Sequence, residues 1–390
     1  MKLRPSCLPL VIILMVCLGL QACLSIGKPP LIKATETGEI TEVDRLLSEG
    51  ASVDDKTKSG ATPLFVASAN GYDAIAARLI EKGANPNAVI EGPFLHDGWT
   101  LAKGATPLMA AIAGGHDKIA AFLLQHGAQA AVSDENGYTP LMLAAAQGKP
   151  DLINACILKG ADIKASTSGV SPLIAAAAGG KPETVALLLK KGADPKAKVS
   201  ANFTYHDVTV FAGGNALMAA AAAGDDKSLQ LLMDAGVGVN LAAKNGTTAL
   251  MAAAAKGSLP SADLLIAQGA DVNARTTESY TVGQHAVPKG STALAGAAFA
   301  GHADMVQFLI NNGADVNAKD DNTDIDALFL AASEGHLEVV KILIASSANV
   351  YAETKMGTAF CAAEHNGYQE VADEIDAARK KIQDKKSTKK

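Results

Sequence analysis

Two histidines that directly precede aspartates are the residues of this chain best suited to metal binding or acid–base catalysis. His96-Asp97 and His206-Asp207 repeat the same pair, and His285 lies in a third segment of similar composition. Imidazole and carboxylate groups serve as metal ligands or as acid–base groups. A zinc ion holds its ligands at about 2 Å, so the elements that carry these histidines decide whether the side chains meet.

No familiar catalytic signature accompanies these histidines. The sequence has no Gly-x4-Gly-Lys-Ser/Thr, Gly-x-Gly-x-x-Gly, His-Glu-x-x-His, Gly-x-Ser-x-Gly or Cys-x-x-Cys pattern, the motifs typical of nucleotide, zinc, serine and redox chemistry. We therefore expect that the protein is not an enzyme, and that it uses no cofactor and no small-molecule substrate.

The charge of the chain is concentrated at its ends. Residues 1–22 carry two bases and no acid, and residues 379–390 carry seven bases and one acid. The remaining body has 25 bases and 39 acids, a net charge of −14. Nucleic-acid binding needs clustered Lys and Arg, so the composition excludes nucleic acid as a partner.

The five cysteines do not suggest a disulfide framework. Cys7, Cys17 and Cys23 lie in the N-terminal segment, whereas Cys156 and Cys361 lie far apart in the body. We predict that Cys156 and Cys361 are buried free thiols, the usual state of an isolated cysteine.

The N-terminal segment has the pattern of a targeting signal. Lys2 and Arg4 precede an apolar run over residues 8–20, which is too short to span a bilayer but suits the core of a signal peptide. The run ends in Leu20-Gln21-Ala22-Cys23, which resembles the lipobox of bacterial lipoproteins. That resemblance implies a signal peptide over 1–22, lipidation of Cys23 and a tether over 23–30.

The lipoprotein resemblance also implies a location. It predicts a protein of the bacterial cell envelope that faces the periplasm and contacts the membrane only through its lipid anchor. Leu24 favours the outer membrane, because an aspartate at that position tends to retain such proteins at the inner membrane. The alternative is an ordinary secretory signal, which would give a soluble periplasmic or secreted protein.

The body of the chain repeats one short motif. Gly104-Ala-Thr-Pro-Leu-Met-Ala-Ala recurs 33 residues later as Gly137-Tyr-Thr-Pro-Leu-Met-Leu-Ala. Further copies begin at Gly169, Gly246 and Gly290, and each is followed by a second apolar segment that ends near Gly-Ala. A fixed period of this length indicates a repeat architecture.

These motifs resemble the ankyrin repeat, with its 33-residue period and its Thr-Pro-Leu-His-x-Ala pattern. The resemblance implies an all-α solenoid of about ten helix-turn-helix units over 31–378, with β-hairpin fingers and a basic tail over 379–390. Thr62, Thr106 and Thr139 would cap first helices, each with Pro at the first helical position. Other residues replace the histidine of the family motif: Phe65, Met109, Met142, Ile174, Met218 and Met251.

Three intervals between motifs measure 44 residues instead of 33. They run from Gly60 to Gly104, from Gly169 to Gly213 and from Gly246 to Gly290. Each therefore carries an 11-residue insertion where ankyrin proteins have their fingers. The inserted stretches 89–101, 199–211 and 276–287 are rich in aromatic and β-branched residues, so we predict three extended hairpins.

Aromatic residues are scarce in this chain but concentrated in the three insertions. Aromatic side chains are frequent anchors of protein interfaces, and insertions in repeat proteins often mark the binding face. The predicted partner-binding residues are Phe94, His96, Trp99, Phe203, Tyr205, His206, Phe211, Tyr280 and His285. The alternative is that these rings pack finger against finger.

The repeat pattern also answers the question about the histidines. The three fingers belong to the second, fifth and seventh units, and neighbouring helices lie about 8–10 Å apart. His96, His206 and His285 would then be separated by about 20–30 Å, so we expect no metal site. His116, His302 and His336 follow the Gly that ends a first helix, and we expect them to be structural.

These observations together predict a protein–protein interaction module, such as a scaffold, an inhibitor or an immunity-type protein. It would bind a protein partner through the extended fingers and the concave face formed by the first helices. The alternative is a passive spacer in the envelope that has no dedicated partner. Repeat surfaces are adaptable, so the fold alone does not name the partner.

Overall fold

A computed structural model describes residues 28–97, 99–166, 169–282 and 285–387, without the side chains of Val282, His285 and Lys386. Within these ranges the chain forms twenty helices in ten consecutive pairs, together with four two-stranded hairpins. The predicted solenoid of about ten helix-turn-helix units is therefore confirmed. Residues 1–22 and Cys23, which carry the predicted signal and lipid, lie outside the described residues.

The described chain divides into two compact units, 28–143 with 151–161 and 144–150 with 162–387. The first unit contains α1 (Pro30–Thr37), α2 (Ile40–Ser48), α3 (Pro63–Asn70), α4 (Asp73–Glu81), β1 (Phe94–His96), β2 (Trp99–Leu101), α5 (Pro107–Ala113), α6 (Asp117–Gln125) and α8 (Pro150–Leu158). Helix α7 (Pro140–Gln147) has residues in both units, and Pro150 at the start of α8 lies in the second unit.

The second unit contains the remaining elements. They are α9 (Pro172–Ala178), α10 (Pro182–Lys190), β3 (Phe203–Tyr205), β4 (Val208–Val210), α11 (Ala216–Ala223), α12 (Asp226–Asp234), α13 (Ala249–Lys256), α14 (Leu259–Ala267), β5 (Tyr280–Val282), β6 (His285–Val287), α15 (Ala293–Phe299), α16 (Ala303–Asn311), α17 (Ala327–Ser333), α18 (Leu337–Ala345), β7 (Glu353–Thr354), β8 (Gly357–Thr358), α19 (Ala359–His365) and α20 (Gln369–Ser387).

A side-chain cap begins most of the first helices. Thr62 accepts a hydrogen bond from the backbone N–H of Phe65 at 3.3 Å, and Thr106 accepts one from Met109 at 3.4 Å. The third predicted cap, Thr139, accepts from Met142 N. The same role falls to Ser171, Asn215, Thr248, Thr292, Asp326 and Thr358. A cap satisfies a backbone N–H that the helix leaves unpaired, so the motif itself starts each helix.

Small side chains let neighbouring first helices approach closely. All seven residues of α9 are buried, four of them alanines, and α9 packs on α11, which packs on α13. At Gly179, a Cβ atom would lie only 2.1 Å from the carbonyl oxygen of Ala146. Leu and Ile side chains of the second helices, such as Leu188 and Leu232, complete the core.

Asparagine side chains connect one loop to the next along the stack. Asn273 donates through Nδ2 to the carbonyl of Gly313 at 2.9 Å and accepts from the N–H of Asp315 at 2.8 Å. Asn240 makes the equivalent pair with Gly269 and Asp271. These bonds satisfy backbone groups at the ends of second helices, where no helical partner is available.

The structural role expected of three histidines is confirmed. The Nε2 atoms of His116, His302 and His336 lie 3.1, 3.0 and 2.9 Å from carbonyl oxygens at the end of the first helix of the previous repeat. Each ring thereby satisfies an acceptor that the helix C-terminus leaves free. Among the described residues, no group of His, Cys, Asp or Glu is arranged to hold a metal ion.

The prediction that both body cysteines are buried is wrong for one of them. Cys156 is buried in α8, but Cys361 is exposed on α19. Cys361 occupies the motif position that Met109 and Met218 fill elsewhere, where a following first helix helps to cover the side chain. Within the described chain no first helix follows α19, so that cover is missing.

Among the helices described, none combines the length and the apolar character needed to cross a membrane.

Candidate functional site

The three insertions form antiparallel hairpins of the same register. Phe94 pairs with Leu101, Phe203 with Val210 and Tyr280 with Val287. The aromatic residue that opens each hairpin is therefore structurally equivalent in all three. The predicted extended hairpins are confirmed, and we refer to residues 94–101, 203–211 and 280–287 as the first, second and third fingers.

Two-residue turns close the first two fingers. Because His96 pairs with Trp99 and Tyr205 with Val208, only two residues remain between the strands. Asp97 and His206 adopt the left-handed conformation, with φ of 41° and 51°. This conformation suits the tight turns that match the twist of a hairpin. The predicted site residue His206 is thus an exposed turn residue.

The first finger is held by a cluster of rings. Phe94 packs edge-on against Phe65 of α3 with ring centroids 4.9 Å apart, and its ring lies 6.1 Å from that of Trp99. His96 packs edge-on against Trp99 at 5.3 Å. Phe94, His96 and Trp99 are half-buried, whereas Leu95 on the opposite face is 75 % exposed. One face of the hairpin is therefore anchored and the other is open to solvent.

The second and third fingers contact each other through aromatic residues. The Phe211 and Tyr280 rings meet edge-on with centroids 4.5 Å apart. Phe203 and Phe211 are only 4 % and 9 % exposed, so their rings pack against the protein. Tyr205 is half-buried beside His206 at 4.4 Å, and burial raises the pKa of Tyr205 and of Tyr280. Some aromatic residues of these fingers therefore pack against the protein or against each other, while others remain partly exposed.

An ion pair ties the tip of the second finger to a helix. The Nζ atom of Lys256, at the end of α13, lies 2.6 Å from a carboxylate oxygen of Asp207. This hydrogen bond lowers the pKa of Asp207. The pair is exposed to solvent and therefore contributes little to stability, but it restricts where the tip of the finger lies.

The predicted binding residues therefore occupy different surroundings. Phe94, His96 and Trp99 share one cluster, and Phe211 meets Tyr280 in another. His285 pairs through its backbone with Val282, and its side chain lies outside the described residues.

A cavity of about 320 Å³ lies beneath the third finger, and the sequence analysis did not predict it. Its lining comes from the finger and from the first helices α13, α15 and α17. Tyr280 and Val287 line it from the finger, and Ala295, Gly296 and Phe299 line it from α15. Ala295 is half-buried, whereas Met109 and Met218 at the same position beneath the other fingers are buried.

Comparison with known proteins gives the family. A family model described as ankyrin repeats in three copies matches seven windows between residues 7 and 384, among them 7–90, 92–167, 173–276 and 294–384. The chain belongs to the ankyrin-repeat family. Ankyrin repeats are protein-binding modules, so this chain is a protein–protein interaction module. The match shows no catalytic family.

Two curated proteins match a short part of the chain. The mitochondrial disaggregases of Bos taurus and Homo sapiens are each 42 % identical to it over 57 residues. The match covers 15 % of this chain and 8 % of each relative. The chain therefore spans less than a tenth of the length of these relatives, and the match carries nothing about their activity.

The sequence of the ankyrin motif that follows the third finger indicates why a cavity forms there. In the third finger's repeat, Gly290-Ser-Thr-Ala-Leu-Ala295 places alanine where the family has histidine and most other repeats of this chain have a large apolar residue. Four residues later the difference is the opposite. Phe299 stands where most other repeats have alanine, such as Ala113 and Ala222. The large side chain of this repeat therefore lies about one helical turn further along α15 than in the other repeats, which leaves space beside the finger.

Proposed function

We propose that this ankyrin-repeat protein is an envelope-anchored binding module whose extended fingers contact one protein partner. The observation that carries the proposal is the construction of the first finger. Its inner ring Phe94 is packed on Phe65 of α3, while Leu95 faces solvent. A rigid hairpin with an exposed apolar side chain loses little conformational entropy on binding, which favours affinity.

The predicted site residues divide into two roles in this proposal. The half-buried Phe94, His96, Trp99, Tyr205 and Tyr280, with the exposed His206, offer an edge to a partner. Phe203 and Phe211 stabilise the fingers from inside. We also retain His285 as a partner-facing residue, on the grounds of its position in β6.

The anchoring part of the proposal rests on the N-terminal sequence. We propose a signal peptide over 1–22, lipidation at Cys23 and a tether over 23–30, followed by the ankyrin domain over 31–378 and the basic tail over 379–390. The apolar run and the Leu-Gln-Ala-Cys sequence support this arrangement. We propose on this basis that the module faces the periplasm of a bacterium and is anchored at the outer membrane.

The absence of catalytic signatures supports a binding role without enzymatic activity. We propose a protein partner and no nucleic acid, because the body carries a net charge of −14 once both basic ends are removed. The body therefore lacks the excess of positive charge that drives nucleic-acid binding.

Affinity capture from membranes of the native host tests the proposal. The full-length protein is compared with a variant in which the three 11-residue insertions are shortened to the standard loop. We expect one saturable partner that the full-length protein retains and the shortened variant loses. An identical set of captured proteins with both variants would contradict a finger-mediated contact.

Point variants guard against misfolding of the shortened protein. Leu95→Ser changes the exposed face of the first finger, and Leu158→Ser changes an equally solvent-facing leucine at the end of α8. Neither leucine supports the core. We expect Leu95→Ser to weaken capture and Leu158→Ser to leave it unchanged. Equal capture by both variants would remove the first finger from the interface.

A further inference from the structure

We propose that the cavity beneath the third finger is a socket for one neutral aromatic side chain of the protein partner. The inference rests on the proposed protein-binding function and adds the chemistry of one contact. The argument depends on the residue pattern that opens the cavity, on the chemistry of its lining and on its size.

The cavity exists because one position of the repeat has lost its large side chain. Phe65, Met109, Met142, Ile174, Met218 and Met251 are all buried at the equivalent position. Ala295 stands there in the third finger's repeat, next to Gly296. A Cβ atom at Gly296 would find only the Ala255 side chain, at 4.0 Å, so this side of α15 is not filled by a neighbour.

The lining is apolar and uncharged. Among the described residues that line the cavity, none carries a formal charge, and Met251, Val287 and Leu330 provide aliphatic surface. Tyr280 and Phe299 contribute rings from opposite elements, the finger and α15. A charged group would lose its hydration here without a partner, whereas an aromatic ring gains contacts with both rings and the aliphatic wall.

Three of the four hydroxyl groups in the lining already make hydrogen bonds. Ser291 and Thr276 both donate to the carbonyl oxygen of Pro288, at 2.7 and 3.1 Å. Thr292 accepts from the N–H of Ala295 at 3.2 Å as the helix cap. A free small molecule needs polar groups that fix its orientation. A side chain does not, because the rest of the partner's interface orients it, so these bonds favour a side chain.

The volume is large enough for an aromatic side chain. An apolar cavity of roughly 150 Å³ in another protein binds benzene, and the cavity described here has about 320 Å³. A phenyl or indole ring therefore fits with room for its connecting methylene. Contact with the second finger adds support, because Phe211 packs against Tyr280 on the wall of the socket.

Ligand-observed saturation-transfer NMR on the full-length protein tests the socket. The probe is N-acetyl-tryptophanamide, a neutral mimic of a tryptophan within a chain, and N-acetyl-lysinamide is the charged comparison. We expect saturation transfer to the indole protons and none to the lysine analogue. Absence of transfer to the indole would overturn the proposal.

The variant Ala295→Met tests whether the probe binds inside the cavity. Methionine is buried at this position in four other repeats of the chain, so the variant restores a side chain that the repeat accommodates. We expect it to reduce probe binding by at least about tenfold, which corresponds to roughly 1.4 kcal/mol. Ala295→Ser, which leaves the space open, is the matched control and should bind like the unmodified protein.

Two other results would also overturn the proposal. One is binding of N-acetyl-tryptophanamide that Ala295→Met leaves unchanged. The other is an apolar small molecule that co-purifies in stoichiometric amount with the unmodified protein and not with Ala295→Met, because the cavity would then be a small-molecule site. Neither result affects the capture experiment with shortened fingers, so failure of the socket is distinguishable from failure of the binding function.

Discussion

At the scale of single residues, one motif position decides what lies beneath a finger. Met109 is fully buried with Leu101 and the Phe65 ring in the core below the first finger. Ala295 leaves a cavity below the third, and Cys361 at the same position of the last unit is exposed. The same backbone thus gives a packed core, a cavity or a free thiol, according to side-chain size and to the presence of a following repeat.

The two body cysteines should differ in reactivity. Burial raises the pKa of Cys156 to about 12, and the thiolate is the form that reacts with alkylating agents. We expect iodoacetamide at about pH 8 to modify Cys361 and to spare Cys156 in the folded protein. Peptide mass spectrometry reads both sites, and unfolding in urea should make both react. Rapid alkylation of folded Cys156 would contradict its burial.

Asp320 should make stability depend on pH through its hydrogen bonds. Burial by itself would raise the pKa of Asp320, but bonds from Thr323, Asn322 and Ile325 outweigh it and lower the pKa below its ordinary value of 3.8. One oxygen accepts from Asn322 N and Thr323 N, and the other accepts from Thr323 Oγ1 and Ile325 N. An asparagine would lose the second oxygen as an acceptor.

We therefore expect Asp320→Asn to lower the free energy of unfolding at neutral pH by about 1–2 kcal/mol. Because the folded pKa is depressed, the contribution of Asp320 is present above its ordinary pKa and is lost as pH falls through the lowered value. The difference between variant and unmodified protein should then shrink below about pH 4. Urea unfolding at neutral and acid pH measures it, and a constant difference would refute the charge dependence.

At the scale of elements, small faces on the first helices set how closely the units stack. Alanine is the commonest residue in α9 and α11, most of these alanines are buried, and the two helices pack against each other. The fingers add a second layer of contacts, since Phe94 packs on α3 and Phe211 packs on Tyr280. Contacts between first helices and contacts made by the fingers therefore both hold neighbouring repeats together.

Two glycines in this stack should respond oppositely to alanine. At Gly179 a new Cβ would lie 2.1 Å from the Ala146 carbonyl oxygen, whereas at Gly296 the nearest outside atom is 4.0 Å away. We expect Gly179→Ala to lower the free energy of unfolding by about 1–3 kcal/mol through overpacking. We expect Gly296→Ala, inside α15, to raise it by roughly 0.5–1 kcal/mol by restricting the unfolded chain.

Urea unfolding midpoints compare these two glycine variants directly, because each makes the same chemical change. Stabilisation by Gly179→Ala would contradict the close approach of α7 and α9, and destabilisation by Gly296→Ala would show that α15 has no room beside the cavity.

At the scale of the whole molecule, each helix-turn-helix repeat is stabilised by the repeats next to it in the sequence. Helix α20 covers α18 and α19, and its residues Val371, Ala372 and Ile375 are buried. Repeat proteins behave as a sum of unit and nearest-neighbour contributions. Loss of a terminal element should therefore act on the adjacent units first.

Deletion of residues 369–390 tests this dependence. We expect hydrogen–deuterium exchange to rise in α18 and α19, which lose their cover, and to stay unchanged in α3 and α5. Mass spectrometry of peptides from both regions measures the effect, and the unmodified protein is the reference. Uniform loss of protection along the whole chain would mean that the molecule unfolds as one cooperative unit.

The sequence by itself determined the repeats, the helix caps and the three hairpins, because each depends on residues close together in the chain. Thr106 caps its own helix, and alternation within 199–211 is enough to indicate a hairpin. A fixed period then implies that each unit buries its apolar face against the next. Family, fold and the location of the fingers were therefore accessible without coordinates.

Only the tertiary structure decided which aromatic residues are buried, that Cys361 is exposed, and that Ala295 opens a cavity. Phe203 and Tyr205 are two residues apart on one strand, yet the first is buried and the second half-buried. Phe211 and Tyr280 meet although 69 positions separate them. Such contacts join different repeats, and their outcome depends on how side chains from several elements fill one space.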